Sequence, residues 1–216
     1  MEERVDSGDA ASNELNLCDE LFAICSALET AGIDYAVCDN LALVLHGLVQ
    51  CMDRMDFLVR RKDMTKATEI VTSAGFVRSS KSEDSTTLAG IVSGQWYSKG
   101  GKPDRITVKL IEVEPHWWDA WSTRRTYKVG DRTLRALTRD GFLQMNRQAG
   151  GLHAAMLLEQ MKEVGGEVDM SPGAIARRFN ELSQLWRLCC ALRGAKDLGP
   201  VERPKKIRNL HTSARK

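Results

Sequence analysis

The stretch from Ile33 to Val59 constrains the fold of this chain more than any other part of it. It begins with apolar side chains at every second position, the pattern of a partly buried strand, in Ile33, Tyr35 and Val37. A short apolar segment follows, which Asp39 or Asn40 can cap and Gly47 can end, and it predicts a short packed helix. Residues 55–59 then predict a second strand.

Asp56 lies inside this second strand, between Met55 and Phe57. A carboxylate in a buried strand costs free energy unless it meets a cation, a hydrogen-bond donor or water. Asp56 is therefore the first candidate for a residue with a functional role.

The rest of the chain supplies further helices and strands around this unit. Amphipathic periodicity predicts helices over residues 13–30, 63–74, 152–164 and 171–193, with another that starts near Arg139 and is capped by Thr138. Strands are predicted over residues 87–97 and 105–113, and a hairpin over 127–134. This order predicts an α+β fold, with a small mixed β-sheet flanked by helices and a helical C-terminal part.

The composition suggests four segments. Residues 1–12 are predicted to be a disordered N-terminus, 13–137 an α/β core, 138–195 a helical region and 196–216 a basic, flexible tail. The tail carries seven Lys or Arg against two acids, a net charge of +5, so the remainder carries −3 of the total of +2. Such a tail is a weak indication of a polyanionic partner, and a solvated tail explains it equally well.

The cellular setting is predicted from what the sequence contains. No apolar run approaches the roughly 20 residues that span a bilayer, and the first residues do not have the pattern of a signal peptide. The six cysteines lie mostly among apolar neighbours and form no CxxC pair, which favours buried free thiols over zinc ligands or disulfides. We expect a cytoplasmic protein that does not associate with membranes.

With these elements placed, Ile33 to Val59 resembles the core of the nucleotidyltransferase fold. The matching residues are Leu41-Ala42-Leu43, His46-Gly47 and Met55-Asp56-Phe57-Leu58-Val59. The likeness is greatest to small bacterial members, the AbiEii-type toxins and the minimal nucleotidyltransferases of toxin–antitoxin pairs, and covers roughly residues 15–160. The resemblance implies a polymerase-beta-like sheet. It also implies a Gly-Gly or Gly-Ser turn that admits phosphates, and acids two residues apart that hold Mg²⁺ for a nucleoside triphosphate.

The chain departs from this family pattern at the residues that carry the chemistry. Asp39-Asn40 stand at the Gly-Gly/Ser position, Arg54 at the first acid and Lys109 at the third, so that Asp56 alone is retained. Asp39, Asn40, Arg54 and Lys109 are predicted to line the cleft, with Arg54 or Lys109 paired to Asp56. We therefore predict a catalytically degenerate protein that acts as a binding or regulatory component and needs no cofactor.

Two alternatives keep an active enzyme, with Mg²⁺ and a nucleoside triphosphate as cofactors. Asp53 can cooperate with Asp56 if the strand begins with a bulge, and Glu112 or Glu114 can serve as the third acid after a register shift. Such an enzyme would transfer nucleotides to RNA, tRNA or protein, as a toxin does. Alternatively, the Arg and Lys can bind a phosphate directly, without metal.

A third reading is an RNA-binding accessory factor. Its surface would combine an aromatic cluster and basic side chains, namely Trp117, Trp118, Trp121, Arg124, Arg125, Lys205, Lys206 and Arg208. Packing between the sheet and the C-terminal helices is the alternative role for the tryptophans. Because three tryptophans within five residues cannot easily all face inward, at least one is predicted to be exposed or at a protein interface.

Overall fold

The computed structural model describes residues 15–48, 52, 54–79, 94–101, 104–149 and 168–194. Several predictions concern residues outside this set: the disordered N-terminus (1–12), the helix over 152–164, the basic tail (196–216) and the side chains of Asp53, Lys205, Lys206 and Arg208.

Five of the described helices follow the predicted order with revised ends, and the one over residues 118–122 was not predicted. The described helices are α1 (Leu17–Thr30), α2 (Asn40–Leu45), α3 (Met64–Ser73), α4 (Trp118–Ser122), α5 (Arg139–Ala149) and α6 (Pro172–Gly194). Thr138 and Ser171 act as the predicted N-terminal caps of α5 and α6, since their hydroxyls accept hydrogen bonds from the backbone of Gly141 and Ala174. None of the described helices is long and apolar enough to span a bilayer.

The strands among the described residues form one mixed sheet. They are β1 (Tyr35–Cys38), β2 (Arg54–Val59), β3 (Val77–Arg78), β4 (Gly94–Lys99), β5 (Ile106–Glu112), β6 (Arg125–Val129) and β7 (Arg132–Ala136). Their spatial order is β3-β4-β5-β2-β1-β7-β6. The pairs β2–β5 and β1–β7 are parallel and the others are antiparallel. This sheet with its flanking helices confirms the predicted α+β class.

Strand alternation separates two hydrophobic cores on the two faces of the sheet. On one face, Tyr35, Val37 and Phe57 pack in the larger core with residues of α1, α3 and α6. On the other face, Cys38 and Leu58 pack in a smaller core with residues of α4 and α5. The predicted boundary between the α/β core and the helical region lies after residue 137, and both hydrophobic cores include residues from either side of it.

Two predicted helix starts need correction, since α1 begins at Leu17 and α3 at Met64, after the predicted residues 13 and 63. The cap of α1 is Asn16, whose extended backbone lets its side chain accept from the N–H groups of Cys18 and Asp19. Asp63, the first residue of the predicted helix over 63–74, precedes α3; its side chain makes no cap hydrogen bond and pairs with Arg60 instead.

The cysteine prediction holds at most of the described positions. The thiols of Cys18, Cys25 and Cys38 are buried and free, as predicted, and Cys190 is buried as well. Cys189 is disulfide-bonded, so the prediction of a free thiol is wrong there.

The small core depends on a close approach of α5 to α4 at Gly141. A Cβ at this position would lie 1.9 Å from Thr123 Oγ1 and 3.0 Å from the carbonyl oxygen of Ala120. We expect Gly141→Ala to lower the free energy of unfolding by about 1–3 kcal/mol, because overpacking outweighs the better helix propensity of alanine. Urea denaturation measures this change, and Gly173→Ala in α6 is the control because its Cβ would meet nothing within 4 Å. A Gly141→Ala variant as stable as the parent would contradict the close contact.

Candidate functional site

A row of in-register side chains crosses four neighbouring strands on the face that carries the small core. Trp96 of β4 pairs with Lys109 of β5, Lys109 with Asp56 of β2, and Asp56 with Cys38 of β1. Residues paired in this way point to the same side of a sheet, and so does Arg54, two residues before Asp56. The fold therefore gathers polar groups that lie far apart in the sequence.

Arg54 is the centre of this cluster. Its Nε lies 2.9 Å from Asp56 Oδ2, and its Nη2 lies 2.5 Å from Asp39 Oδ2. One guanidinium thus holds two carboxyls, one within its own strand and one in the turn after β1. Such charge-assisted contacts are the stronger hydrogen bonds of a protein interior, and the planar guanidinium suits them in a way that lysine does not.

The backbone of Asp39 adopts a conformation that normally belongs to glycine. Its φ is 54° and its ψ is −133°, and among the described residues it is the one non-glycine residue with positive φ. These angles match the first central position of a type II′ turn, where glycine is favoured because it has no Cβ. Asp39 therefore holds a backbone shape that favours glycine while adding a carboxyl to the turn.

The cluster is withdrawn from solvent. The exposed fractions are 1% for Asp56, 2% for Lys109 and 8% for Asp39. The Oδ1 atoms of Asp39 and Asp56 are both buried and have no hydrogen-bond partner. Buried polar atoms without partners are uncommon and mark a site that needs a physical explanation.

The charges of the cluster shift one another's protonation. Burial raises the pKa of Asp56 well above its ordinary value, the charge of Asp39 raises it further, and Arg54 opposes both. Burial lowers the pKa of Lys109, against the opposing charge of Asp56. Burial also raises the pKa of the Cys38 thiol.

Trp96 covers the two cations of the cluster. Lys109 Nζ lies 4.8 Å from the centre of its ring, and Arg54 Cζ lies 5.5 Å from it. Both are within cation–π distance. The stem of Lys109 passes over Gly94, where a Cβ would lie 2.5 Å from Lys109 Cε. The aromatic ring and the small residue together fix the position of the lysine.

Glu112, one of the alternative acids, does not join this cluster. Glu112 lies three residues after Lys109 on the same strand, so alternation turns it to the other face, where it pairs with Arg61. The register shift that would have brought Glu112 beside Asp56 is absent from the paired strands. Asn40 begins α2 beside Asp39, and Asp53 is outside the described residues.

The tryptophan cluster is divided between core and surface. Trp117 and Trp121 are buried in the small core, whereas Trp118 has an exposed fraction of 49%. Arg124 pairs with Asp34 and lies over the Trp121 ring at 4.1 Å, while Arg125 is exposed at the start of β6. The three rings therefore do not form one stacking platform, and the prediction that at least one is exposed holds for Trp118.

These residues do not fit the two-metal arrangement that the family resemblance implies. Arg54 and Lys109 occupy the positions of the first and third acids, which leaves Asp56 as the one carboxylate in that set of positions. Among the described residues, no three His, Cys, Asp or Glu side chains are grouped as a metal ion would require. Fixed positive charges beside Asp56 oppose a divalent cation there.

Comparison with known proteins yields structural similarity only. No family model matches the chain, and no curated protein is significantly similar to it. A protein from Thermotoga maritima described as a nucleotidyltransferase is 14% identical, with a TM-score of 0.46 over 70% of this chain and 98% of its own. The lincosamide antibiotic adenylyltransferase LnuA, bound to lincomycin, is 12% identical, with a TM-score of 0.39 over 76% of this chain and 96% of its own.

A further similar structure is the antibiotic-resistance factor ANT(2'')-Ia. It is 8% identical, with a TM-score of 0.41 over 82% of this chain and 92% of its own. With identities this low and TM-scores below 0.5, we infer nothing about activity, substrate or metal from these matches.

Sequence reasoning missed three parts of the cluster. The bond from Arg54 to Asp39 depends on the path of the turn, and the placement of Trp96 and Gly94 depends on the register of β4 with β5. The positive φ of Asp39 had one usable signal, which is that Asp39 stands where the family pattern has glycine.

Proposed function

We propose that this chain is a nucleotidyltransferase-fold protein that does not transfer nucleotides and acts as a binding or regulatory component. The observation that supports this most is the position of Arg54, which holds Asp39 and Asp56 at 2.5 and 2.9 Å. In this proposal a protein cation takes the place of the divalent cation that the family resemblance implies.

The electrostatics of the turn support the same proposal. Phosphates would approach the β1–α2 turn, and there the carboxyl of Asp39 is 8% exposed and repels them. Lys109 Nζ lies 4.8 Å from the centre of the Trp96 ring, and Lys109 is the register partner of Asp56. Arg54 is held by Asp39 and Asp56. Neither of these two cations is therefore presented to solvent as a phosphate ligand. A nucleotide would have to break this buried network before it could bind.

Calorimetry with Mg²⁺ and ATP tests the proposal. We expect no Mg²⁺-dependent nucleotide binding by the parent chain, and no transfer of label when it is incubated with labelled nucleotides and total RNA. The matched variant carries Arg54→Asp and Lys109→Asp, which restores acids on one face, and we expect it to gain Mg²⁺ binding if its circular dichroism shows that it folds. Micromolar, Mg²⁺-dependent nucleotide binding that Asp56→Asn abolishes would overturn the proposal.

We propose separately that such a component binds a protein partner. Trp118, with an exposed fraction of 49% on the short helix α4, supports a protein interface, since large exposed aromatic residues are enriched at interfaces. RNA is the alternative, and it predicts binding that weakens steeply with salt. Salt-independent retention of a protein partner that Trp118→Ser abolishes would support the interface.

A further inference from the structure

The contacts with Arg54 do not satisfy all the hydrogen-bond acceptors of Asp39 and Asp56. Each carboxyl gives its Oδ2 to Arg54, and each keeps a buried Oδ1 atom without a hydrogen-bond partner. The two carboxyls also lie next to each other, because they bond to Nε and Nη2 of one guanidinium, at 2.9 and 2.5 Å. Two ionised carboxylates repel at such a contact, and a buried acceptor without a donor is costly.

The neighbours restrict what can supply the missing donor. A divalent cation is opposed by Arg54, which contacts both acids, and by Lys109, the register partner of Asp56. The Lys109 ammonium does not serve either Oδ1 atom, because both lack any partner. A proton needs no additional space and converts one carboxyl from acceptor to donor.

We propose that Asp39 and Asp56 share one proton, carried by Asp56, and that this proton holds the β1–α2 turn closed. The protonated Asp56 donates to Asp39, so the contact that would repel becomes a hydrogen bond. The guanidinium of Arg54 then faces one negative charge in place of two.

The direction of the pKa shift agrees with this geometry. Burial and the neighbouring Asp39 raise the pKa of Asp56 despite its contact with Arg54. The charged or titratable groups that act on it or on its neighbours are Cys38 of β1, Asp39 of the turn, Arg54 of β2 and Lys109 of β5. All of them belong to the cluster itself.

Loss of the proton would act on the most strained backbone of the cluster. When Asp56 releases its proton to solvent, Asp39 and Asp56 are both negatively charged beside the guanidinium of Arg54. The two carboxylates then repel each other, and this repulsion acts on the backbone of Asp39. Asp39 is held at a positive φ of 54°, where a non-glycine residue is strained. The turn that starts α2 is therefore the part expected to open as the pH rises, and the cluster works as a proton-sensitive latch.

A carboxyl titration by NMR on isotope-labelled aspartate tests the shared proton directly. We expect one carboxyl signal to remain protonated at neutral pH and to be absent from Asp56→Asn. Asp34 is the matched control, because Arg124 and Arg135, against the effect of burial, lower the pKa of that surface carboxyl. If every aspartate carboxyl is ionised at neutral pH, the proposal is wrong.

Stability gives a second, independent test. The pKa of Asp56 in the folded protein is raised above the ordinary 3.8. Its contribution to the free energy of unfolding is therefore fully present below pH 3.8 and is lost as the pH rises through the folded pKa. In Asp56→Asn the amide keeps the donor at all pH values. We therefore expect the urea midpoint of Asp56→Asn at neutral pH to be no lower than that of the parent. We also expect the variant not to lose stability as the pH rises through the folded pKa of Asp56.

Asp34→Asn gives the opposite result if the proposal holds, because it removes an ionised partner of two arginines and should lower the midpoint. A fall of the midpoint in Asp56→Asn comparable to that in Asp34→Asn would overturn the shared proton. Neither test involves nucleotide or metal, so their failure is distinct from failure of the proposed function.

Discussion

Replacing Arg54 by alanine is expected to lower the free energy of unfolding by about 3–5 kcal/mol, the range seen when one partner of a buried ion pair is removed. Arg54 contacts both Asp39 and Asp56, at 2.5 and 2.9 Å, and no other described cation bonds to either carboxyl. Its loss leaves the buried charge of Asp39 uncompensated and removes the cation that opposes the raised pKa of Asp56. Urea denaturation at neutral pH measures the change.

An exposed arginine provides the control for this substitution. Arg61 also pairs with a carboxylate, Glu112, but the Arg61 side chain is 86% exposed. We expect Arg61→Ala to change stability by less than about 1 kcal/mol, as surface ion pairs do. Arg54→Lys keeps the charge but cannot reach both carboxyls with one planar group, so an intermediate loss is expected. Equal losses in Arg54→Ala and Arg61→Ala would show that the buried network does not form in solution.

The fold was predictable because its strongest signal is periodic. Alternation in β1, the apolar run of α2 and the pattern of β2 are local, so they can be recognised without knowledge of the tertiary contacts. The pairing of these elements was harder to predict, since β2 lies between β1 and β5, and α3, β3 and β4 stand between β2 and β5 in the sequence. The resemblance of residues 33–59 to a known family compensated for this missing long-range information.

The site was predictable in its members more than in its contacts. A pairing of Asp56 with Arg54 or Lys109 was expected, and Arg54 makes it, because two-residue spacing on one strand places Arg54 and Asp56 on one face. The second contact of Arg54, with Asp39, requires the turn to bring residues 15 positions apart within 2.5 Å. Trp96 gave no signal, because its place over Lys109 depends on a strand register that the sequence does not specify.

Asp39 has an unfavourable backbone conformation and a favourable ion pair with Arg54. We expect Asp39→Ala to lower the free energy of unfolding by about 3–5 kcal/mol, because it leaves Arg54 without one partner and keeps a Cβ at positive φ. Asp39→Gly loses the same ion pair but removes the strain. It should therefore be more stable than Asp39→Ala by about 1–3 kcal/mol.

Asp63 supplies the matched control for the order of these two variants. It also pairs with an arginine, Arg60, at 3.2 Å, but its φ is −100°, which any residue adopts. There glycine has no strain to relieve and increases the entropy of the unfolded chain, so Asp63→Gly should be less stable than Asp63→Ala. The order of glycine and alanine thus reverses between the two positions if the turn after β1 has the backbone of a type II′ turn. If alanine is preferred at both positions, Asp39 does not hold a positive φ, and the strain that the proton-sensitive latch requires is absent.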